Sequence, residues 1–435
     1  MNVFAPILAE GELAPVMVFF NGGAFMEGSN QGPFKMYNGS QLAASQRVVV
    51  VSANYRVGAF GYLATGRDGL NGNWGMMDQV AALRWVQDNI VFLGGNASSV
   101  TVFGESAGAM SIGLLLTTDH AKGLFHRAIM ESNVAGMNYR NLSAASLIAD
   151  DFCALLNCSA CAPACLRAAP PQGVMDAWNS ATGNDAVWVL ANIKNILDGF
   201  LDTGPTRDGV YVPLEPMAAV EAGTHWSRGM PLLLGTNTNE GETFVFDGVD
   251  FPLPNFLAEV AYWGIFGENS TAARDIAAQP RYNWTRFSDA RLPLSALVTD
   301  YWFRCASEVF LRGSTSPHLF AYRFDHLYSN ASIFPTFGLP KICAEVVCHA
   351  SELPFVFRNV PSFATFTPAE QALGAAMQDA WGAFARTGDP NGAGGPAWPV
   401  WTAATRQTLV LNDTFTTEDT LEMCGFFDAL DNYFA

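Results

Sequence analysis

Ser106 sits where a serine could act as a nucleophile. It is the centre of Gly104-Glu105-Ser106-Ala107-Gly108. A β-branched and aromatic run, Val100 to Phe103, precedes it, and a helical stretch, Ala107 to Leu116, follows. The run reads as a buried strand. A tight turn between strand and helix would hold Ser106 in a strained conformation. The flanking glycines would let neighbouring backbone pass close, and the hydroxyl would stand exposed in front of a helix N-terminus. A serine hydroxyl alone is a poor nucleophile; it needs a base, and the base needs an orienting carboxylate. G-x-S-x-G arises by chance in roughly one chain in ten of this length, so the partners must decide.

Strand, turn and helix around G-x-S-x-G form the nucleophile elbow of α/β-hydrolases, where the chain order is serine, acid, histidine. The three groups follow strands, at the edge where the loops meet. Glu240 comes just after the apolar strand Pro231 to Asn237. Of the six histidines, His120 and His126 lie too near the elbow helix to reach back. His225 precedes the acid, and His318 starts a strand at the wrong end. His349 and, as its rival on spacing, His326 both follow the strand His318 to Phe324. Asn21-Gly22-Gly23-Ala24-Phe25 is a Gly-rich loop after the strand Pro15 to Phe20, in the place where oxyanion-hole amides arise.

These residues need a scaffold. The chain has 435 residues, 50% hydrophobic and 14% charged, enough for a large core. Apolar strands (Asn2 to Ile7, Pro15 to Phe20, Arg47 to Ala53, Val100 to Phe103, Arg127 to Ser132, Pro231 to Asn237, and His318 to Phe324 as the last clear one) alternate with helices, including Asn73 to Leu93 and Thr367 to Thr387. That alternation predicts an α/β fold with a mostly parallel sheet. Residues 134–230 and 244–313 read as helical insertions over the active-site edge of one domain, 1–435. Aromatics of the second insertion, Phe256, Tyr262, Trp263, Phe266, Tyr301, Trp302 and Phe303, are expected mostly in the core, with some lining a gorge.

The net charge of −17 argues against nucleic acid and anionic membrane surfaces as partners. No apolar run reaches membrane-spanning length, and Met1 to Pro6 lacks the pattern of a signal peptide. Eight N-x-S/T sequons (Asn38, Asn96, Asn141, Asn157, Asn269, Asn283, Asn330 and Asn412) nevertheless exceed the about three expected by chance and favour a glycosylated, secretory-pathway protein. The eight cysteines fit disulfides in that compartment. Cys153, Cys158, Cys161 and Cys165 permit three pairings among themselves. Zinc is the competing reading of that cluster, though no histidine lies nearby; no cofactor or metal is expected.

The sequence resembles the type-B carboxylesterase and cholinesterase family. Pro15 to Phe25, Asn54 to Gly61, Gly72 to Gln79, Val100 to Gly108, Gly235 to Gly241 and His349 to Phe357 are all similar to family segments. The resemblance selects His349 over His326. It implies Ser106 as nucleophile, His349 as general base and Glu240 as orienting acid, with the amides of Gly23, Ala24 and Ala107 as oxyanion hole. It implies a two-step hydrolysis of carboxylic esters through an acyl-enzyme, the substrate being a small-molecule or lipid-like ester. Glu105 and Glu352 resemble carboxylates that hold water near the triad, and Arg56 with Asp78 resembles an ion pair bracing the elbow. Asn21 stands where many members carry His or Tyr.

The family also implies disulfides Cys158–Cys165 and Cys305–Cys424. Cys343 and Cys348, in one loop before His349, are then paired with each other, and Cys153 with Cys161. Only about twenty residues precede the Gly-rich loop, so the chain is expected to lack the family's N-terminal strand segment. Two alternatives follow: a non-catalytic adhesion or binding relative, and an inactive truncated fragment.

Overall fold

Val16, Val18 and Phe20 are buried on one side of the strand Ala14–Phe20, and Met17 and Phe19 on the other. Side chains alternate between the faces of a strand, so apolar residues at every position require cover on both faces. The same division recurs at Val100 and Val102 against Phe103, at Ala128 and Met130 against Ile129, and at Leu232 and Leu234 against Leu233.

The computed structural model describes residues 1–181, 204–266, 271–362, 364–392 and 395–430. Nine strands among them form one sheet: β1 (Asn2–Phe4), β2 (Ala14–Phe20), β3 (Val49–Ser52), β4 (Gly95–Glu105), β5 (Arg127–Glu131), β6 (Leu232–Asn237), β7 (Leu319–Phe324), β8 (Gln407–Leu411) and β9 (Thr416–Asp419). Their spatial order is β1-β3-β2-β4-β5-β6-β7-β8-β9. β1 runs antiparallel to β3, and β9 to β8; every other neighbouring pair is parallel.

Helices cover both faces. Trp74–Asn89 buries Val80, Leu83 and Val86, and Ile90 beyond it continues the stripe. With Ala107–Thr117 it covers one face; Pro368–Thr387 covers the other with Leu373, Met377, Trp381 and Phe384. The last helix is strongly delimited. Thr367 and Glu370 form a capping box, Pro368 takes the first turn, and Gly388 ends it at φ 80°.

The structure departs from the sequence-based expectation at particular points. The strand His318 to Phe324 is not the last: β8 and β9 follow. β9 (Thr-Thr-Glu-Asp) is mostly exposed and has no apolar alternation to reveal it, as suits an edge strand. Asn73 is not helical. It adopts φ 64°, and its amide exchanges hydrogen bonds with the Thr206 backbone at 2.8 and 2.9 Å.

The described part of 134–230 carries helices and a short parallel strand pair, Arg140–Asn141 with Thr206–Arg207, and its Cys153–Cys161 and Cys158–Cys165 disulfides pack on Phe152, Val174 and Trp178. All four cysteines of that cluster are therefore consumed, which leaves no thiolate for zinc. Residues 182–203 of this stretch, and the Asn269 sequon, lie outside the described residues. In 244–313, Tyr262, Trp302 and Phe303 are buried, whereas Phe256 is exposed. Cys305–Cys424 ties the second stretch to the C-terminal helix Leu421–Asp428.

Candidate functional site

The carboxyl ends of β2, β4, β5 and β6 converge on one edge, and each delivers a polar residue there. Ser106 follows β4 and caps the helix Ala107–Thr117 at φ 55°, ψ −123°. L-residues rarely adopt this conformation, which costs on the order of 1–3 kcal/mol. Its backbone amide donates to Glu131 O at the end of β5, 3.0 Å away. The elbow needs its glycines for a steric reason. A Cβ on Gly108 would lie 2.0 Å from Phe20 O, and one on Gly104 2.6 Å from the same oxygen. Only bare backbone lets the helix start press against the end of β2.

The loop after β2 turns through three consecutive positive-φ residues, Gly23 (115°), Ala24 (51°) and Phe25 (60°). Tyr55 Oη donates to Asn21 O at 2.7 Å, Gly58 N to Phe25 O at 2.7 Å, and Met26 N to Gly23 O at 2.9 Å. Asn21 braces the loop from within, its amide donating to Gly22 O at 2.9 Å. A Cβ on Gly22 would fall 2.6 Å from Glu105 Oε2 and 3.0 Å from Ser106 Cβ, so the loop lies directly against the elbow. Ala107, as the first helical residue, has an amide without an intrahelical acceptor.

Glu240 and His349 meet although far apart in the chain. His349 Nδ1–H donates to Glu240 Oε2 at 2.6 Å. Oε1 of the same carboxylate accepts from Ser132 Oγ and from Asn237 N, each at 2.6 Å. His349 Nε2 lies 3.0 Å from Glu105 Oε1. No hydrogen bond joins the ring to Ser106 Oγ; catalytic hydrogen bonds are often long before substrate arrives. Phe244 and Phe303 flank the imidazole, with ring centroids 5.0 and 5.4 Å from it. His326, the rival on spacing, is turned to Glu370 and Asp413 instead.

The electrostatics follow from burying carboxylates together. Burial tends to lower the His349 pKa, but Glu105, Glu240 and Glu352 outweigh it and raise it to about 9. Burial raises Glu105 to about 7, helped by Glu240 and opposed by His349. Burial, then Glu105 and Glu240, raise Glu352 to about 8. Glu352 Oε2 accepts from Asn237 Nδ2 at 2.6 Å. A fourth buried carboxyl, Glu131, accepts from Trp381 Nε1 at 2.6 Å and is held well above the carboxylate range by burial.

Ser132 and Asn237 were not singled out from the sequence. Their only signal there is position, at the carboxyl ends of two neighbouring strands. The expected brace between Arg56 and Asp78 is present, with Nε to Oδ2 at 2.7 Å. Cys343 and Cys348 are joined, so the structure contains the four cysteine pairs set out above.

A model of the carboxylesterase family matches residues 1–426. The chain belongs to the carboxylesterase family. Para-nitrobenzyl esterase of Bacillus subtilis (strain 168) is 32% identical over 433 residues, covering 96% of this chain and 80% of that one. Cocaine esterase of Homo sapiens is 32% identical over 433 residues, covering 92% and 69%. A solved PNB esterase superposes with a TM-score of 0.80 at 31% identity, covering 97% of this chain and 82% of that one. The fold is thus that of an α/β-hydrolase, and family and relatives support action on carboxylic esters. Among the described residues, no helix of this carboxylesterase-family chain is long and apolar enough to cross a membrane.

Proposed function

We propose that the protein is a secreted serine carboxylesterase. Ser106 attacks the ester carbonyl while His349 takes its proton. Glu240 holds the ring by Nδ1 and stabilises the imidazolium. The amides of Gly23, Ala24 and Ala107 receive the developing oxyanion, each donor contributing about 3–4 kcal/mol to the transition state, with the N-terminus of Ala107–Thr117 behind them. His349 returns the proton to the leaving alcohol, and water then hydrolyses the acyl-Ser106 ester by the same base.

The observation that carries this reading is the 2.6 Å bond between Glu240 and His349, beside a serine on a strained elbow. Phe244 and Phe303 beside the base favour esters with uncharged, fairly apolar groups. Disulfides and the excess of sequons support a secretory, glycosylated protein. The test is fluorophosphonate labelling with peptide mapping, run beside p-nitrophenyl ester hydrolysis. A single adduct on Ser106, and loss of both adduct and hydrolysis in Ser106→Ala, is the expected result. Full hydrolysis by Ser106→Ala would overturn the mechanism.

A further inference from the structure

The acid and the base leave the backbone from one short pairing. Asn239 and Cys348 form an isolated parallel bridge, with Asn239 N donating to Val347 O at 2.9 Å. The next residue on each side is Glu240 and His349. Whatever fixes the Cys348 backbone therefore fixes where His349 stands relative to Glu240.

Cys348 is bonded to Cys343, five residues earlier, and both are fully buried. Cys343 Sγ also touches Thr243 Oγ1 at 3.7 Å, and Thr243 lies on the helix that Glu240 begins. On the other side of His349 the chain turns sharply: Ala350 has φ 68°, and Ser351 N donates back to Cys348 O at 3.2 Å. His349 thus rides on a strained turn at the end of the long connection that leaves β7 at Phe324. Long connections between elements are where alternative conformations arise. The disulfide closes the last part of this one immediately before the base.

We propose that the Cys343–Cys348 disulfide is a positioning clip for His349, holding the imidazole on Glu240. This rests on the reading of His349 as the general base. Small misplacements of a catalytic group can cost about a hundredfold in rate, and the covalent loop from Cys343 to Cys348 prevents them here without touching substrate.

The test compares wild type, Cys343→Ala/Cys348→Ala, and Cys153→Ala/Cys161→Ala as a disulfide control in a different hydrophobic cluster. Two readouts are taken: steady-state hydrolysis of p-nitrophenyl acetate, and the strongly deshielded proton resonance of the Nδ1–H bonded to Glu240. In Cys343→Ala/Cys348→Ala, kcat is expected to fall about tenfold to a hundredfold with KM nearly unchanged, and the resonance to broaden or vanish in folded protein. The control is expected to lose thermal stability with neither effect. Unchanged kcat and resonance without the disulfide would sink the proposal. Should the alanine pair not fold, Cys343→Ser/Cys348→Ser is measured in its place. Failure of both to fold assigns the bond to folding alone and also overturns it. A wild type that shows the resonance but neither hydrolyses nor labels would refute the esterase reading, while the resonance still judges the clip.

Discussion

Glu105 faces His349 across 3.0 Å, carboxylate Oε1 against imidazole Nε2. The nitrogen that takes the Ser106 proton in the proposed mechanism thus looks at a carboxylate one residue before that serine. With Glu240 on Nδ1, the ring lies between two acids, and this favours its charged form.

The consequence is a pH dependence of activity. In the proposed mechanism His349 must be neutral to accept a proton, and its pKa is raised to about 9. kcat/KM should therefore climb through neutral pH toward that value. Glu105→Gln removes one of the charges that raise it, so the rising limb moves to lower pH by about one unit or more. The pH profile of p-nitrophenyl acetate hydrolysis checks this. An unmoved limb would show that Glu105 does not charge the ring.

Ser132 supplies one of two donors to Glu240 Oε1. Ser132→Ala leaves that buried oxygen with Asn237 N alone. A lost hydrogen bond to a charged group costs about 1.5–3 kcal/mol, here divided between stability and orientation of the acid. Denaturation should show the stability loss, and kinetics a lower kcat with KM nearly unchanged. Wild-type values in both would refute the role.

Glu352 gives a pH dependence of stability. Its folded pKa, about 8, lies above its ordinary 4.5, so the native state holds the proton more tightly than the unfolded chain. Its contribution is full below about 4.5 and is lost as the pH rises to about 8. Glu352→Gln should flatten the decline in unfolding free energy across that window. Urea melts at each end of it decide the matter, and an equally steep decline in the variant would count against this assignment.

Two glycines should respond in opposite ways. Gly108→Ala forces a methyl to within 2.0 Å of Phe20 O, backbone that cannot step aside. It should cost about 3 kcal/mol or more and abolish labelling of Ser106. Gly425, inside the helix Leu421–Asp428, has nothing within 4 Å of its added Cβ. Gly425→Ala should stabilise by about 0.5–1 kcal/mol. Thermal melts of both variants settle it; equal shifts would contradict the steric account.

The sequence by itself determined what is written in local pattern. The apolar run Val16 to Phe20 marked a strand. Gly104 and Gly108 around Ser106 specified an elbow, because only Gly tolerates backbone that close. Thr367-Pro368 and Gly388 marked the ends of a helix through local capping chemistry. The types and order of Ser106, Glu240 and His349 indicated the chemistry, and the family resemblance chose His349 over His326. Tertiary structure alone decided what these residues touch. Ser132 and Asn237 hold Glu240, Glu105 confronts His349, and Trp381 satisfies Glu131 from 250 residues away. Asn73, read as the start of a helix, flanks its first turn and also binds Thr206 across 133 residues. The physical reason is range. Strand period and glycine sterics act between neighbours in the chain, whereas the partner of a buried carboxylate is set by which strand ends the sheet order brings to one edge.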